Sequence, residues 1–213
     1  MPQAQATSAR GRRAKRPSGD ERERSIRETL EELLRTKPFH EISIDDLARG
    51  AGISRPTFYF YFESKESVLL TLMDEIVREA DAASDLAQLA IEQDPQRFLR
   101  DALTAYVTIL GGHRGVIVAS NQAAAASPEV RRLWNLVRER WVQVGTAAIA
   151  AERERVGMKG ELSARELAIA LINMNEGVMY SMFAGEQPAI PQERMIDVLT
   201  NIWINAVYEG QRP

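Results

Sequence analysis

Hydrophobic positions recur at helical spacing almost from one end of the chain to the other, and no stretch of strict apolar–polar alternation competes with them. Ile26, Leu30 and Leu33 form the first stripe, opened by Ser18 with Glu21 three residues on, the reciprocal pairing of a capping box. Pro38 is expected to end it. Ser43 with Asp46 opens a second helix and Ser54 caps a third. Ser64 starts a longer fourth helix through Val68, Leu69, Leu72, Ile76 and Val77. A fifth runs from near Pro95 along Leu99, Leu103, Tyr106 and Leu110 to Gly111-Gly112, and a sixth spans roughly 114–125. Ser127-Pro128-Glu129 opens the seventh, with proline in the first turn and an acid near the positive end of the dipole. Its stripe is Val130, Leu133, Trp134, Val137, Trp141 and Val144. Ser163 and Glu166 cap an eighth helix reaching about Ala184, and Pro191 opens the last, with Leu199, Ile202, Trp203 and Ala206. The pattern predicts an all-α fold of about nine helices, with a domain boundary inside or after the fourth.

Within that pattern, residues 42–65 read as a helix, a tight turn at Gly52 and a short second helix crowded with aromatics. A helix-turn-helix needs a small residue where its helices touch and a glycine where the turn takes positive φ. Ala48 and Gly52 fill those places, and Leu47, Ala51, Ile53, Phe58 and Tyr61 stand where apolar residues lock the pair. An ordinary helical hairpin would use the same core. It would not need so many polar-tipped residues on a short helix, and such a unit docks in the major groove of double-stranded DNA.

Composition narrows the picture. The 213 residues include no cysteine and only two histidines, His40 and His113, so no disulfide framework, thiolate site or metal site is expected, and no cofactor. No paired carboxylates, Ser/His/Asp set or phosphate-binding loop point to an enzyme. No apolar run approaches membrane-spanning length, and the basic N-terminus is not a signal peptide, so a cytoplasmic, nucleoid-associated protein without membrane contact is expected. The net charge of −3 hides an asymmetry: residues 1–24 carry +4 and the remainder −7. Residues 1–17, nearly free of large apolar side chains, read as a disordered basic arm. Such an arm is either a polyanion-facing end or merely a solvated tail.

The run Ile53-Ser54-Arg55-Pro56-Thr57-Phe58-Tyr59-Phe60-Tyr61-Phe62-Glu63-Ser64-Lys65 resembles the signature of TetR-family repressors. Met174-Asn175-Glu176 and Phe183-Ala184-Gly185-Glu186-Gln187-Pro188 resemble, more closely, the EthR-type branch, and the likeness covers the whole chain. It implies a helix-turn-helix DNA-binding domain over 18–66 and a ligand-binding and dimerisation domain over 67–213. By that resemblance Arg55 and Thr57 reach base edges, while Tyr59, Tyr61 and Lys65 grip phosphates. Ser43 and Ser54 sit at helix N-termini that favour phosphate oxygens. Arg55 either reads guanine or meets only the backbone, and Tyr61 occupies an apolar slot that could equally be core. The arm around Arg13 is expected to enter the adjacent minor groove.

The same resemblance implies a long hydrophobic channel. Asn175, an amide inside an apolar stripe, would anchor a hydrophobic small-molecule effector, the alternative being that it pairs with Glu176, a carbonyl or water. Leu99, Tyr106, Trp134, Trp141, Tyr180 and Trp203 would line the channel. Leu99 stands where the close relatives have tryptophan, and Val144 and Gly145 where they have tyrosine and threonine, so a wider, less aromatic channel is expected. Arg138 interrupts the seventh stripe; it either pairs with an acid or meets an anionic ligand head. The last two helices would form a homodimer reading a pseudo-palindromic operator. The function expected is a ligand-responsive repressor, with a helix-turn-helix regulator lacking any effector as the alternative.

Overall fold

The computed structural model describes residues 18–88 and 95–208. They form nine α-helices: α1 (Gly19–Leu33), α2 (Ile44–Gly50), α3 (Arg55–Tyr61), α4 (Lys65–Gln88), α5 (Pro95–Gly112), α6 (Arg114–Ala123), α7 (Pro128–Val156), α8 (Ala164–Ala184) and α9 (Gln192–Val207). A single 3-10 turn, Phe39–Glu41, precedes α2, and the described residues contain no strand.

The caps explain most of the helix starts. Ser18 with Glu21, Ser43 with Asp46 and Ser163 with Glu166 each form a full capping box. Ser54 accepts from the Thr57 N–H and Ser127 from the Val130 N–H. Ser64 and Ser67 exchange side-chain and backbone bonds ahead of α4. One end differs from the expectation. α1 stops at Leu33, well before Pro38, because Leu34 already closes its last turn onto Leu30. α5 runs through both glycines to Gly112, and α6 leaves at an 81° bend.

α8 also corrects the expectation that no apolar run approaches membrane-spanning length. Its 21 residues are long and apolar enough to cross a membrane. In the fold it packs against α6, α7 and α9, burying Leu167, Leu171, Met179 and Phe183 in the core. One face of α8 is buried and the other, with Ile169, Ala170, Asn173 and Gly177, is exposed, and composition alone does not separate such a helix from a span.

One core runs through the molecule. Ile26, Leu30, Leu47 and Phe58 lock α1, α2 and α3 together, and Val68, Leu69 and Met73 of α4 carry the same cluster on to Val116, Met195 and Leu199. α4 packs on α1 at one end and on α5 and α6 further along. Polar struts reinforce the junction: Arg27 pairs with Glu75, and His113, between α5 and α6, meets Glu31 of α1 and, at 3.5 Å, Glu79 of α4. At Gly115 a Cβ would lie 2.9 Å from the Leu34 carbonyl oxygen, so α6 lies against the end of α1 as only glycine allows.

Candidate nucleic-acid interface and internal cavity

The turn between α2 and α3 follows from Gly52, whose φ is +66° with open space where a Cβ would be; conformation, not crowding, requires the glycine. Ala48 is buried and its carbonyl accepts from Ile53 N–H at 2.9 Å, closing the turn. Phe58 is fully buried and packs edge-on against Tyr59 at 5.7 Å and against Phe62 at 6.1 Å. Anchoring α3 by Phe58 turns its opposite face outward.

Of the expected DNA-contacting residues, α3 carries Arg55, Thr57, Tyr59 and Tyr61, while Ser43 and Ser54 precede α2 and α3 and Lys65 opens α4. Arg55 donates to Asp45 at 3.2 Å and to the Tyr59 hydroxyl at 3.4 Å. The Tyr59 hydrogen bond, and then the field of Asp45, hold its guanidinium still more firmly in the charged form. Thr57 and Ser54 share a hydroxyl–hydroxyl bond of 2.8 Å at the start of the helix. Ser43 caps α2 and donates to Asp46, which lowers the Asp46 carboxyl below its usual range. Tyr59 is exposed, whereas Tyr61 is half-buried against the core. Lys65 is engaged by the protein itself: its ammonium donates to the carbonyls of Phe39 (2.8 Å), Ile42 (2.9 Å) and His40 (3.5 Å), and lies 4.6 Å above the Phe39 ring. It ties the 3-10 turn to the first residue of α4. Arg13 lies outside the described residues.

Phe60, next to last in α3 and not among the expected site residues, is 82% exposed. The signal was available: Phe58 and Phe62 are four apart and take the core, so the residue midway between them must face away.

The expected channel residues divide into two groups. A cavity of about 570 Å³ opens between α5, α7, α8 and α9, and Leu99, Tyr106, Trp141, Asn175 and Trp203 line it. Among the described residues no charged side chain lines it. Asn175 is buried, and its Oδ1 accepts from the Trp203 indole N–H at 3.1 Å, a partner the sequence reading did not consider. Trp134 and Tyr180 line a separate pocket of about 20 Å³ with Glu176. Tyr106 borders both, packed edge-on against Trp141 with ring centroids 5.0 Å apart. Burial, and then the nearby Glu176 carboxylate, push the Tyr106 phenol well up. Arg138 lines neither space and donates to Glu176 at 2.7–2.8 Å.

The cavity also depends on small residues, of which the sequence points only to Gly145. Gly145, Ala147, Ala148 and Ala151 on α7 lie along its wall, and their missing side chains are the volume. The run Gly145-Thr-Ala-Ala-Ile-Ala-Ala was the available sign, since so many small residues on one turn after another leave room unless a neighbour fills it.

Comparison with known proteins matches this division of labour. The family model "Bacterial regulatory proteins, tetR family" matches residues 26–72, and "Transcriptional regulator EthR, C-terminal domain" matches residues 99–209. The HTH-type transcriptional regulator EthR of Mycobacterium tuberculosis is 46% identical over 210 residues, covering 98% of this chain and 97% of its own. Its counterpart in Mycolicibacterium smegmatis is 44% identical over 205 residues, covering 96% and 94%. Among solved structures, a TetR-like transcriptional regulator from Rhodococcus sp. RHA1 superposes with a TM-score of 0.68 at 22% identity, over 92% of this chain and 98% of its own. The TetR family transcriptional regulator PfmR from Thermus thermophilus gives 0.64 at 23% identity, over 88% and 99%. These two likenesses speak for the fold alone. Model matches in both halves and near-full-length identity give the conclusion: this chain belongs to the TetR family of bacterial regulators and is a helix-turn-helix transcriptional regulator of the EthR type.

Proposed function

We propose that the chain is a repressor whose homodimer holds two helix-turn-helix units on a pseudo-palindromic operator at the nucleoid, and that a hydrophobic small molecule in the 570 Å³ cavity releases it. The observation that carries the reading is the absence of any charged group from that cavity's lining, among the described residues, beside a buried amide. A charged ligand buried there would lose its hydration without a counter-charge. A neutral, elongated molecule with one hydrogen-bonding group loses little, and Asn175 is placed to meet that group in competition with Trp203.

In this reading residues 1–17 form the basic arm, with Arg13 in the minor groove, 18–66 the DNA-binding domain and 67–213 the sensing and dimerisation domain. The division falls inside the first turn of α4, which therefore belongs mechanically to both parts. Arg55 and Thr57 read bases, Tyr59 and Tyr61 hold phosphates with Ser43 and Ser54, and Lys65 fixes the turn ahead of α2 while adding its charge to the surface. The outer face of α8, with Ile169, Ala170, Asn173 and Gly177 exposed, and exposed Ile202 on α9 offer a self-complementary surface for a two-fold dimer.

The switch is a population shift. A ligand that fills the space beside α5 displaces α4, on which α5 packs, and the two recognition helices no longer match successive major grooves. The ligand must bind the DNA-incompetent arrangement more tightly than the competent one. Footprinting on the DNA flanking the gene supplies the operator. Fluorescence anisotropy on that operator is then measured with and without a saturating apolar amide. The reading expects operator affinity to fall at least about tenfold, and full affinity at saturation refutes it.

A further inference from the structure

A second cleft, of about 400 Å³, lies where the N-terminal helices meet the C-terminal domain, and its chemistry is opposite to that of the first. Its lining runs from the end of α1 into the 3-10 turn (residues 34–39), along one face of α6 (Arg114, Gly115, Val118, Ala119, Gln122), and to the end of α8 (Phe183, Ala184). Three of these side chains, Arg35, Lys37 and Arg114, are cations, and no acid is among them. Yet residues 25–213 together carry −7. Arg35 is shared with Glu32 at 3.2 Å, while among the described residues no carboxylate makes an ion pair with Lys37 or Arg114. Lys37 does act electrostatically on Asp46. The histidine beside Arg114 is turned to Glu31 and Glu79 and adds nothing to the cleft. The floor is apolar, formed by Leu34, Phe39, Val118 and Phe183.

The lining sets these cations apart from the two helices of the helix-turn-helix. Neither α2 nor α3 contributes a residue to the lining, whereas α6 and α8 do. We propose that this cleft is a second ligand site, distinct from the neutral cavity, that takes a small amphipathic monoanion: a carboxylate between Lys37 and Arg114 with a short apolar tail over Leu34, Val118 and Phe183. The charges supply selectivity that the 570 Å³ cavity cannot, since that cavity has none. A molecule seated here touches α1 and α6 at once, beside the Leu34–Gly115 contact, so it braces the DNA-binding unit against the C-terminal domain.

The test uses the full chain, with 4-phenylbutyrate and its neutral amide as probes, followed by calorimetric titration and thermal shift. The expected result is saturable binding of the carboxylate, weakened at least tenfold in Lys37→Ala/Arg114→Ala, and unaffected by Arg132→Ala, a surface cation elsewhere. Ala148→Trp, which blocks the neutral cavity, is expected to leave carboxylate binding in place. Carboxylate binding that survives the double substitution, or that Ala148→Trp removes, overturns the proposal, as does the lack of any saturable binding. Operator affinity against salt concentration gives a further arm. The double variant is expected to keep the wild-type slope, and a slope reduced by about two assigns the pair to DNA phosphates instead and also overturns the proposal.

Discussion

On α3 the polar tips hold one another, Arg55 by Asp45 and Tyr59, Thr57 by Ser54; in the cavity beside α7 the wall is uncharged and its buried amide is held by an indole. These side chains are held by one another in the free protein, which under the proposed function lowers the cost of fixing rotamer-rich side chains on binding. The cavity is instead defined by what is missing, the side chains that Gly145, Ala147, Ala148 and Ala151 do not have. Under the proposed function, a surface that reads a fixed duplex and a hollow that admits a deformable molecule call for these different constructions. The same contrast recurs between the two hollows, one neutral and one cationic.

The strongest way to break the ordered surface is from beneath. Phe58 is fully buried under α3, and Phe58→Ala is expected to cost about 3–5 kcal/mol in urea unfolding and to abolish operator binding. A cost below about 1 kcal/mol would mean that α3 is seated by something else. The corresponding strike at the cavity is Asn175→Leu, which strands the Trp203 indole N–H. Removing one partner of a buried bond costs about 1–3 kcal/mol, read as a lower Tm together with a shift in tryptophan emission. If Tm holds and only the response to an apolar amide is lost, Asn175 serves the ligand and the indole bond is incidental.

The two regions were unequally legible. The helix-turn-helix is written in short-range signals, Ser43 with Asp46, Ser54 with Thr57, Ala48 against Ile53 and the positive φ at Gly52, each within a few residues in sequence. Those signals also placed every other helix start that a serine caps. The cavity depends on where four helices distant in sequence come to rest. Helical spacing put Trp134 and Trp141 on one face, yet a seven-residue step advances the chain about 10 Å along the axis, and the two rings border different spaces. The Asn175–Trp203 bond spans 28 residues and the Arg138–Glu176 pair 38, and no local pattern encodes either. Lys65 shows the limit from the other side. The motif locates it, but its three carbonyl partners come from a turn more than twenty residues earlier.

A smaller effect sharpens the surface side. Arg55→Ala removes a side chain held only at the exposed face, so Tm should stay close to that of wild type. Operator affinity should fall by roughly 5- to 150-fold, with relaxed preference at one base position, if Arg55 reads a base. A uniform loss across all sequences, with a shallower salt slope, would make it a backbone contact instead.

The smallest expected effect lies at the far end of α7, where Glu152 accepts from Arg155 at 2.6–2.7 Å and from the hydroxyl of Tyr208, just beyond α9. This joins two helices that wall the cavity. The Arg155 hydrogen bond, assisted by Tyr208 and opposed by desolvation, holds the Glu152 carboxyl below the usual glutamate range. Burial, then the Glu152 bond, push the Tyr208 phenol up to about 12. The signs differ. A depressed carboxyl stabilises the fold fully above its unfolded value, and the gain is lost as pH falls through the folded one. A raised phenol stabilises the fold relative to high pH: its contribution is full below the ordinary tyrosine range and is lost as pH climbs from there towards about 12. Glu152→Gln should therefore lower Tm most between these limits, by about 2–4 °C at most, and converge with wild type towards the acid end. A Tm difference that stays constant from acid to neutral pH would show that the carboxylate's charge adds nothing there, leaving the α7–α9 junction to packing alone.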